Sequence, residues 1–257
     1  MTMTTDKHGA SALPPGLPVT VLTSGAHASP VEGLCLIEAV AFHAGVPHSD
    51  QAEGVCPVLG AFGRPTNDGP WPSDAARTEA LGPLVALLAG SRSTSRVERA
   101  RADFFARRAL STYAPLALYA AVCALESCGV DCADLRAAAV ALCERPSQRA
   151  SLAARDAAYD AARDADAADA ARDATRAAAH AAARDAAHAA DAAAYADAAA
   201  RDADAAHAAA DAAAAAAAAA SYAIALADAS TASGALTVLC LAADDLRAAC
   251  AISEVTL

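Results

Sequence analysis

Among the side chains between residues 35 and 56 able to ionise, ligate a metal or attack an electrophile, Cys35, His43, His48, Asp50 and Cys56 are the candidates for one site. A thiol at a helix N-terminus gains thiolate character from the free N–H groups there, which makes Cys35 the candidate nucleophile. Its base has to come from elsewhere. His43 lies further along the same predicted helix, about 12 Å away, and no histidine occurs between His48 and His180. The same five residues could be drawn as a metal site, as could Cys128 and Cys132 together with Cys123 and Cys143. Structural zinc takes ligand pairs two to four residues apart in two clusters. Only Cys128 and Cys132 have that spacing, so helix-packed thiols are the simpler reading. No cofactor is implied.

A second group is polar rather than nucleophilic. His48, Asp50, Arg64, Asn67 and Asp68 fall in two predicted turns that flank a short apolar helix, and they are the candidate ligand-binding residues. Asp and Asn also cap turns with their own side chains, the plainer role for them. A third group is basic. Arg92, Arg96, Arg99, Arg101, Arg107 and Arg108 crowd one stretch, opposed only by Glu98 and Asp103. Guanidinium groups suit a phosphate-bearing ligand or an acidic partner. Docking an acidic alanine-rich helix of the same chain is the preferred reading.

The elements that must position these groups read as all-α. Glu32–Ala44 is a predicted helix ended by Gly45. A short apolar helix starts near Pro57 and ends at Phe62, and Gly63–Pro72 is a predicted loop. Ser73 or Asp74 caps a helix carrying Leu81 to Leu88, with a split at Gly82-Pro83. Arg96–Leu110 is amphipathic. Ser111-Thr112 is read as a cap for a separate apolar helix over Pro115–Cys128, stopped by Gly129. Leu135–Cys143 and Leu236–Cys250 complete the amphipathic set. Val19–Thr23 is the only strand-like run.

Between them lies Ser147–Ser233, and 48 of the 80 residues 151–230 are alanine. Alanine has the highest helix propensity, because it loses no side-chain entropy on entering the helix. Asp160–Arg163, Asp169–Arg172 and Asp173–Arg176 add acid-before-base pairs on one face. Pro146-Ser147 is the expected start and Ser233-Gly234 the expected stop. A single rod would be about 120 Å long. A hairpin turning near Asp202-Ala203-Asp204 is the alternative. Either way one face is nearly all methyl and needs something to lie against.

The expected organisation is a flexible arm (1–30), a small helical bundle or head (31–146), the alanine-rich segment (147–233) and a C-terminal helix (234–257) that packs back on the bundle. The net charge of −11 and pI near 4.9 argue against sequence-independent nucleic-acid binding. Met1–Gly16 is polar and Pro-rich, without the apolar core of a secretory signal. No run of about 20 strongly apolar residues suggests a membrane span. Eight cysteines without a signal point to buried free thiols in a cytoplasmic protein.

Two resemblances add to this. The run "CLIEAVAFHAGVPHSDQAEG" resembles the cysteine-bearing helix of papain-like cell-wall peptidases, which implies Cys35 as nucleophile. Those enzymes also need a histidine on a later strand, and here no histidine occurs between His48 and His180. The stretch "EGLCLIEAVAFHAG…HSD…CPVLGAFGR…ND", with "YAPLAL" later, resembles a family of uncharacterised alanine-rich proteins of actinobacteria, other high-GC bacteria and their phages. It spans roughly Glu32–Leu135 and implies a bacterial or phage cytoplasmic origin. Relatives carry Trp in the alanine repeats, where this chain has Tyr159, Tyr195 and Tyr222.

The first functional expectation is a non-enzymatic binding or self-assembly protein that forms homo-oligomers or meets another helical protein, with no nucleic-acid or membrane partner. The alternative is a pocket in the head for a small-molecule or phosphate ligand. A hydrolase using Cys35 is third.

Overall fold

The structure is a computed structural model that describes residues 21–127, 129–167, 213, 215–216 and 232–254. The regular structure there is α-helix, with one π segment and, among the described residues, no strand. The chain is therefore all-α.

Helix α1 is Leu36–Ala44, later in starting than the apolar pattern suggests. The Leu34 carbonyl is taken by the Thr23 N–H at 2.9 Å, so the residues before it pair with the 21–30 segment and do not join the helix. Gly45 ends α1 in the left-handed region, φ 68°. Helix α2 is Pro57–Asp68 and continues through the predicted loop, with Pro65 inside it. Gly63 explains why. A Cβ there would lie 3.3 to 3.6 Å from Leu36, Ile37 and Leu246, so close packing holds a stretch that propensity alone would release. As a result Arg64, Asn67 and Asp68 lie on a helix, not in a turn.

Helices α3 (Asp74–Leu81) and α4 (Leu84–Leu88) are split at Gly82-Pro83, and the Ser73 hydroxyl caps α3 by accepting from the Ala76 N–H at 3.2 Å. Helix α5 is Ser95–Arg108, capped by Thr94. The expected break at Ser111-Thr112 does not occur. A π segment, Ala109–Tyr113, carries α5 straight into α6, Ala114–Ser127. Pro115 supplies the reason: it has no N–H and its ring crowds the carbonyl one turn back, and one wider turn relieves both.

The continuous run Ser95–Ser127 has a mean hydropathy of 1.3 in its most apolar window and is long enough to cross a membrane, but that window is 61 % buried within the fold. Phe105, Tyr113, Leu118 and Leu125 on it are core residues, as in the central helix of a packed domain.

Helix α7 is Ala133–Glu144 and α8 is Gln148–Ala167. These pack with α6 as one layer. Ser151, Ala154, Ala158, Ala161 and Ala162 of α8 are buried, while Asp160 and Arg163 pair outside at 2.9 Å. The methyl face of this part of the alanine segment thus lies on the head. Farther along, Ala213 and Ala216 are helical and buried. The rod-or-hairpin alternatives and the pairs Asp169–Arg172 and Asp173–Arg176 lie outside the described residues.

Helix α9, Ala232–Cys250, contains Gly234, which sequence reading took as a stop. It packs against α2, α3, α4 and α5. Val238, Leu239 and Leu246 are buried, each contributing about 1.5–3 kcal/mol. Gly69 allows the approach: a Cβ there would meet Leu239 at 2.6 Å.

Two members of the basic cluster, Arg101 and Arg108, bond this helix, while the expected docking of the cluster on the alanine-rich segment beyond residue 167 lies outside the described residues. Buried Arg101 donates to the carbonyls of Ser91 at 2.8 Å, Ala249 at 3.2 Å and Ile252 at 3.0 Å. Arg108 holds Asp245 at 2.7 Å, and the Tyr113 hydroxyl donates to the same carboxylate. Burial, with Asp245 beside it, raises the Tyr113 pKa. Phe62 stacks on Phe105 at 4.0 Å between centroids, which joins α2 to α5 beneath α9.

Candidate functional site

A cavity of about 350 Å³ opens between the 51–57 turn, α2 and the linker after α4. Ile37, Val55 and Ala61 supply apolar wall. Gln51, Glu53, Arg64 and Arg92 supply the polar part. Its mouth is held by a chain of hydrogen bonds that starts at Arg101. That guanidinium holds the Ser91 carbonyl; the Ser91 hydroxyl accepts from the Cys56 N–H at 3.0 Å; the Arg92 N–H donates to the Gly54 carbonyl at 2.8 Å. The backbone that carries Arg92 is fixed beside the turn as a result. Arg64 is half-buried and spends one N–H on the Asp50 carbonyl at 3.3 Å. Gly60, one helical turn before it, leaves room for that guanidinium. Neither Arg64 nor Arg92 has a carboxylate within ion-pair range among the described residues. Two guanidinium groups facing an apolar-walled cavity can hold a carboxylate or phosphate, and the apolar wall suits a small organic body attached to it.

The sequence-derived candidates divide here. Arg64 lines the cavity and Asp50 lends its carbonyl. His48, Asn67 and Asp68 are elsewhere. They fasten residues 22–34, placed by sequence reading largely in a flexible arm, onto the head. Asn67 is buried, accepts from the Leu36 N–H at 3.1 Å and donates to the Thr23 carbonyl at 2.9 Å. Asp68 accepts from the Gly25 N–H at 2.7 Å. Buried Arg77 reaches the carbonyls of Asn67 and Leu22. The part of the arm before residue 21 lies outside the described residues.

His48 belongs to a node centred on Glu38, which is 1 % exposed. Glu38 accepts from the His27 N–H at 2.7 Å, from the His27 ring Nδ1 at 2.8 Å and from the Cys35 N–H at 2.8 Å. His48 Nε2 donates to the His27 carbonyl at 2.8 Å and lies 3.7 Å from Glu38. Burial alone would raise the Glu38 pKa. The N–H groups of His27 and Cys35 outweigh it and hold the carboxyl below its usual value. Glu38 was missed by sequence reading, yet it left a signal: an acid three residues after a helix-start residue is the capping-box pattern. Arg92 left none beyond its place in the basic cluster.

Cys35 is the N-cap of α1, with its sulfur 3.5 Å from the Glu38 N–H. Burial and the neighbouring Glu38 carboxylate push the thiol up to about 12, opposite to an activated nucleophile. Cys132 is buried and likewise raised to about 11, chiefly by burial. Its proposed zinc partner Cys128 lies outside the described residues, and no group of His, Cys, Asp and Glu suited to a metal occurs among the described residues. The expectation of uniformly buried thiols needs correction: Cys123, Cys143 and Cys240 are exposed, because they fall on the outer faces of α6, α7 and α9. Comparison with protein-family models, curated proteins and solved structures finds no match.

Proposed function

We propose that this chain is a binding protein whose head takes a small carboxylate- or phosphate-bearing molecule in the Arg64–Arg92 cavity. The observation that carries the reading is that two guanidinium groups without a carboxylate partner among the described residues share one cavity whose mouth is fixed by hydrogen bonds of its own. Preorganisation of this kind lowers the entropy cost of binding. The self-association reading has less to use. In the described part of the alanine segment the methyl face is already covered by α6 and α7.

The test is thermal stabilisation of the full chain by inorganic phosphate, acetate and small dicarboxylates, against chloride at matched ionic strength. A ligand at 100 times its Kd stabilises by about 2.7 kcal/mol. The expected outcome is a saturable rise in Tm, lost in Arg64→Gln and in Arg92→Gln and kept in Arg99→Gln. A rise that is absent for every anion, or equal in all three variants, refutes the reading.

A further inference from the structure

We propose a second site, independent of the cavity: Thr23, His27 and Glu38 form a hydroxyl–imidazole–carboxylate relay able to transfer the acyl group of a small ester. The Thr23 Oγ1 lies 3.0 Å from His27 Nε2, and His27 Nδ1 lies 2.8 Å from Glu38 Oε2. A hydroxyl within reach of a base, with the base oriented by a third group, is the arrangement that activates an alcohol nucleophile.

The tautomer follows from the contacts. Glu38 is a buried acceptor whose carboxyl stays ionised, so the proton on the ring sits at Nδ1 and points to it. Nε2 is then left as the acceptor for the Thr23 O–H. The alternative acceptor for that hydroxyl, the Leu34 carbonyl, is farther away at 3.4 Å. Glu38 also takes the His27 backbone N–H, so the residue is held at two points, one on its backbone and one on its ring. His48, which faces the same carboxylate, donates its Nε2 proton to the His27 carbonyl and braces the segment from the other side.

The pair can be approached. Thr23 is half-buried, the His27 side chain is 13 % exposed, and Ser24, Ala26 and Ala28 around it are exposed. Gly33 presents only hydrogen to the pair: a Cβ there would lie 2.6 Å from Thr23 Oγ1 and 2.7 Å from His27 Nε2. The relay residues line neither the Arg64–Arg92 cavity nor the cleft at Ser95–Asp103, and a short acyl chain with a solvent-facing leaving group is the class we assign to it.

In the reaction, Thr23 Oγ attacks the ester carbonyl carbon and its proton passes to His27 Nε2. The carbon–oxygen bond to the leaving alcohol then breaks, and the alcohol takes that proton, leaving acyl-Thr23. Water attacks the acyl carbon, again giving a proton to His27 Nε2, and the carboxylic acid departs as Thr23 recovers its hydroxyl proton. The sum is ester plus water to acid plus alcohol.

The experiment treats the full-length protein with p-nitrophenyl acetate, quenches in acid and locates acetyl groups by peptide mass spectrometry. The expected result is acetyl on Thr23, retained on residue 23 in Thr23→Ser, with its formation slowed about 100-fold or more in His27→Gln. Thr23→Val, isosteric and checked for folding by circular dichroism, should release p-nitrophenolate at the His27→Gln rate. Acetyl found only on Lys7, on the exposed cysteines or on other hydroxyls overturns the proposal. So does an undiminished Thr23 adduct in His27→Gln, which removes the base from the account. The first outcome is read in the wild type and needs no variant to fold; the second is read in His27→Gln, whose fold is checked by circular dichroism as for Thr23→Val.

Discussion

Replacing Glu38 by Gln keeps shape and removes charge, and the structure sets what this costs. Three N–H donors converge on the carboxylate: His27 N on Oε1, His27 Nδ1 and Cys35 N on Oε2. A glutamine offers one acceptor oxygen and turns the other position into a donor. The best placement puts the carbonyl where Oε2 was and leaves the His27 backbone N–H facing an NH₂ group. One buried donor then goes unsatisfied, at about 1–3 kcal/mol, and two charge-assisted bonds become neutral ones, at about 1 kcal/mol each. The expected loss is about 3–5 kcal/mol. Urea unfolding followed by the fluorescence of Trp71, the chain's single tryptophan, measures it. That indole is buried and bonded to the Thr66 carbonyl at 2.8 Å, so its signal reports the α2 region directly. With a slope of about 1–3 kcal/mol per molar, the midpoint falls by more than about 1 M. The difference should also depend on pH in one direction. The folded-state pKa of Glu38 is lowered, so its contribution is complete above the unfolded value near 4.3 and fades as pH falls through the folded value. Wild type and variant therefore converge in acid. A loss under about 1 kcal/mol at neutral pH, or a gap that widens in acid, refutes the account of the node.

Gly33→Ala places a Cβ 2.6 Å from Thr23 Oγ1 at a residue with φ 152°, and should lower stability by about 2 kcal/mol or more in thermal unfolding, whereas Gly90→Ala meets nothing within 4 Å and suffers only from its positive φ. Arg101→Ala strips three carbonyls of their donor at once; the expected outcome is a loss of about 3–5 kcal/mol, with faster hydrogen exchange at the C-terminal end of α9 preceding global unfolding. Thiol labelling of the native protein near pH 8 should modify Cys123, Cys143 and Cys240 first, with Cys35 untouched until the protein unfolds, since burial holds that thiol near 12.

Much of the helix layout was legible because it depends on local chemistry. Ser73, Gly45 and Gly129 each mark a boundary through a cap or a left-handed turn, and the structure has those boundaries. The misses share one cause. Gly63, Pro65, Pro115 and Gly234 are helix-breaking residues by propensity, and each lies inside a helical run; distant side chains pack at Gly63 and a wider turn accommodates Pro115. Leu246 comes from far along the chain to pack at Gly63, and no local window contains it. The C-terminal helix illustrates the same limit. Its amphipathic pattern shows that it needs a partner, but not that the partner is the Arg101 and Arg108 face, which was assigned by charge to the acidic alanine segment.

For the candidate site, residue type located polar groups correctly and left their roles open. Five were chosen because they are polar and near turns. Arg64 lines the cavity and Asp50 supports it through its carbonyl, while His48, Asn67 and Asp68 hold the 22–34 segment. What separates them is the supply of backbone partners. A segment that crosses a helical surface without regular structure leaves its own N–H and C=O groups unpaired, and burying them that way is costly. The side chains nearest to it are drawn into satisfying that demand: Asn67, Asp68, Arg77 and Thr78 all bond the backbone of residues 22–25. Arg64 faces the 51–57 turn on the other side of α2, where one carbonyl takes one of its five donors, so most of its guanidinium is left for something else. A polar side chain with spare donors in a cavity, and not polarity itself, is what distinguishes a ligand site from a fastening here.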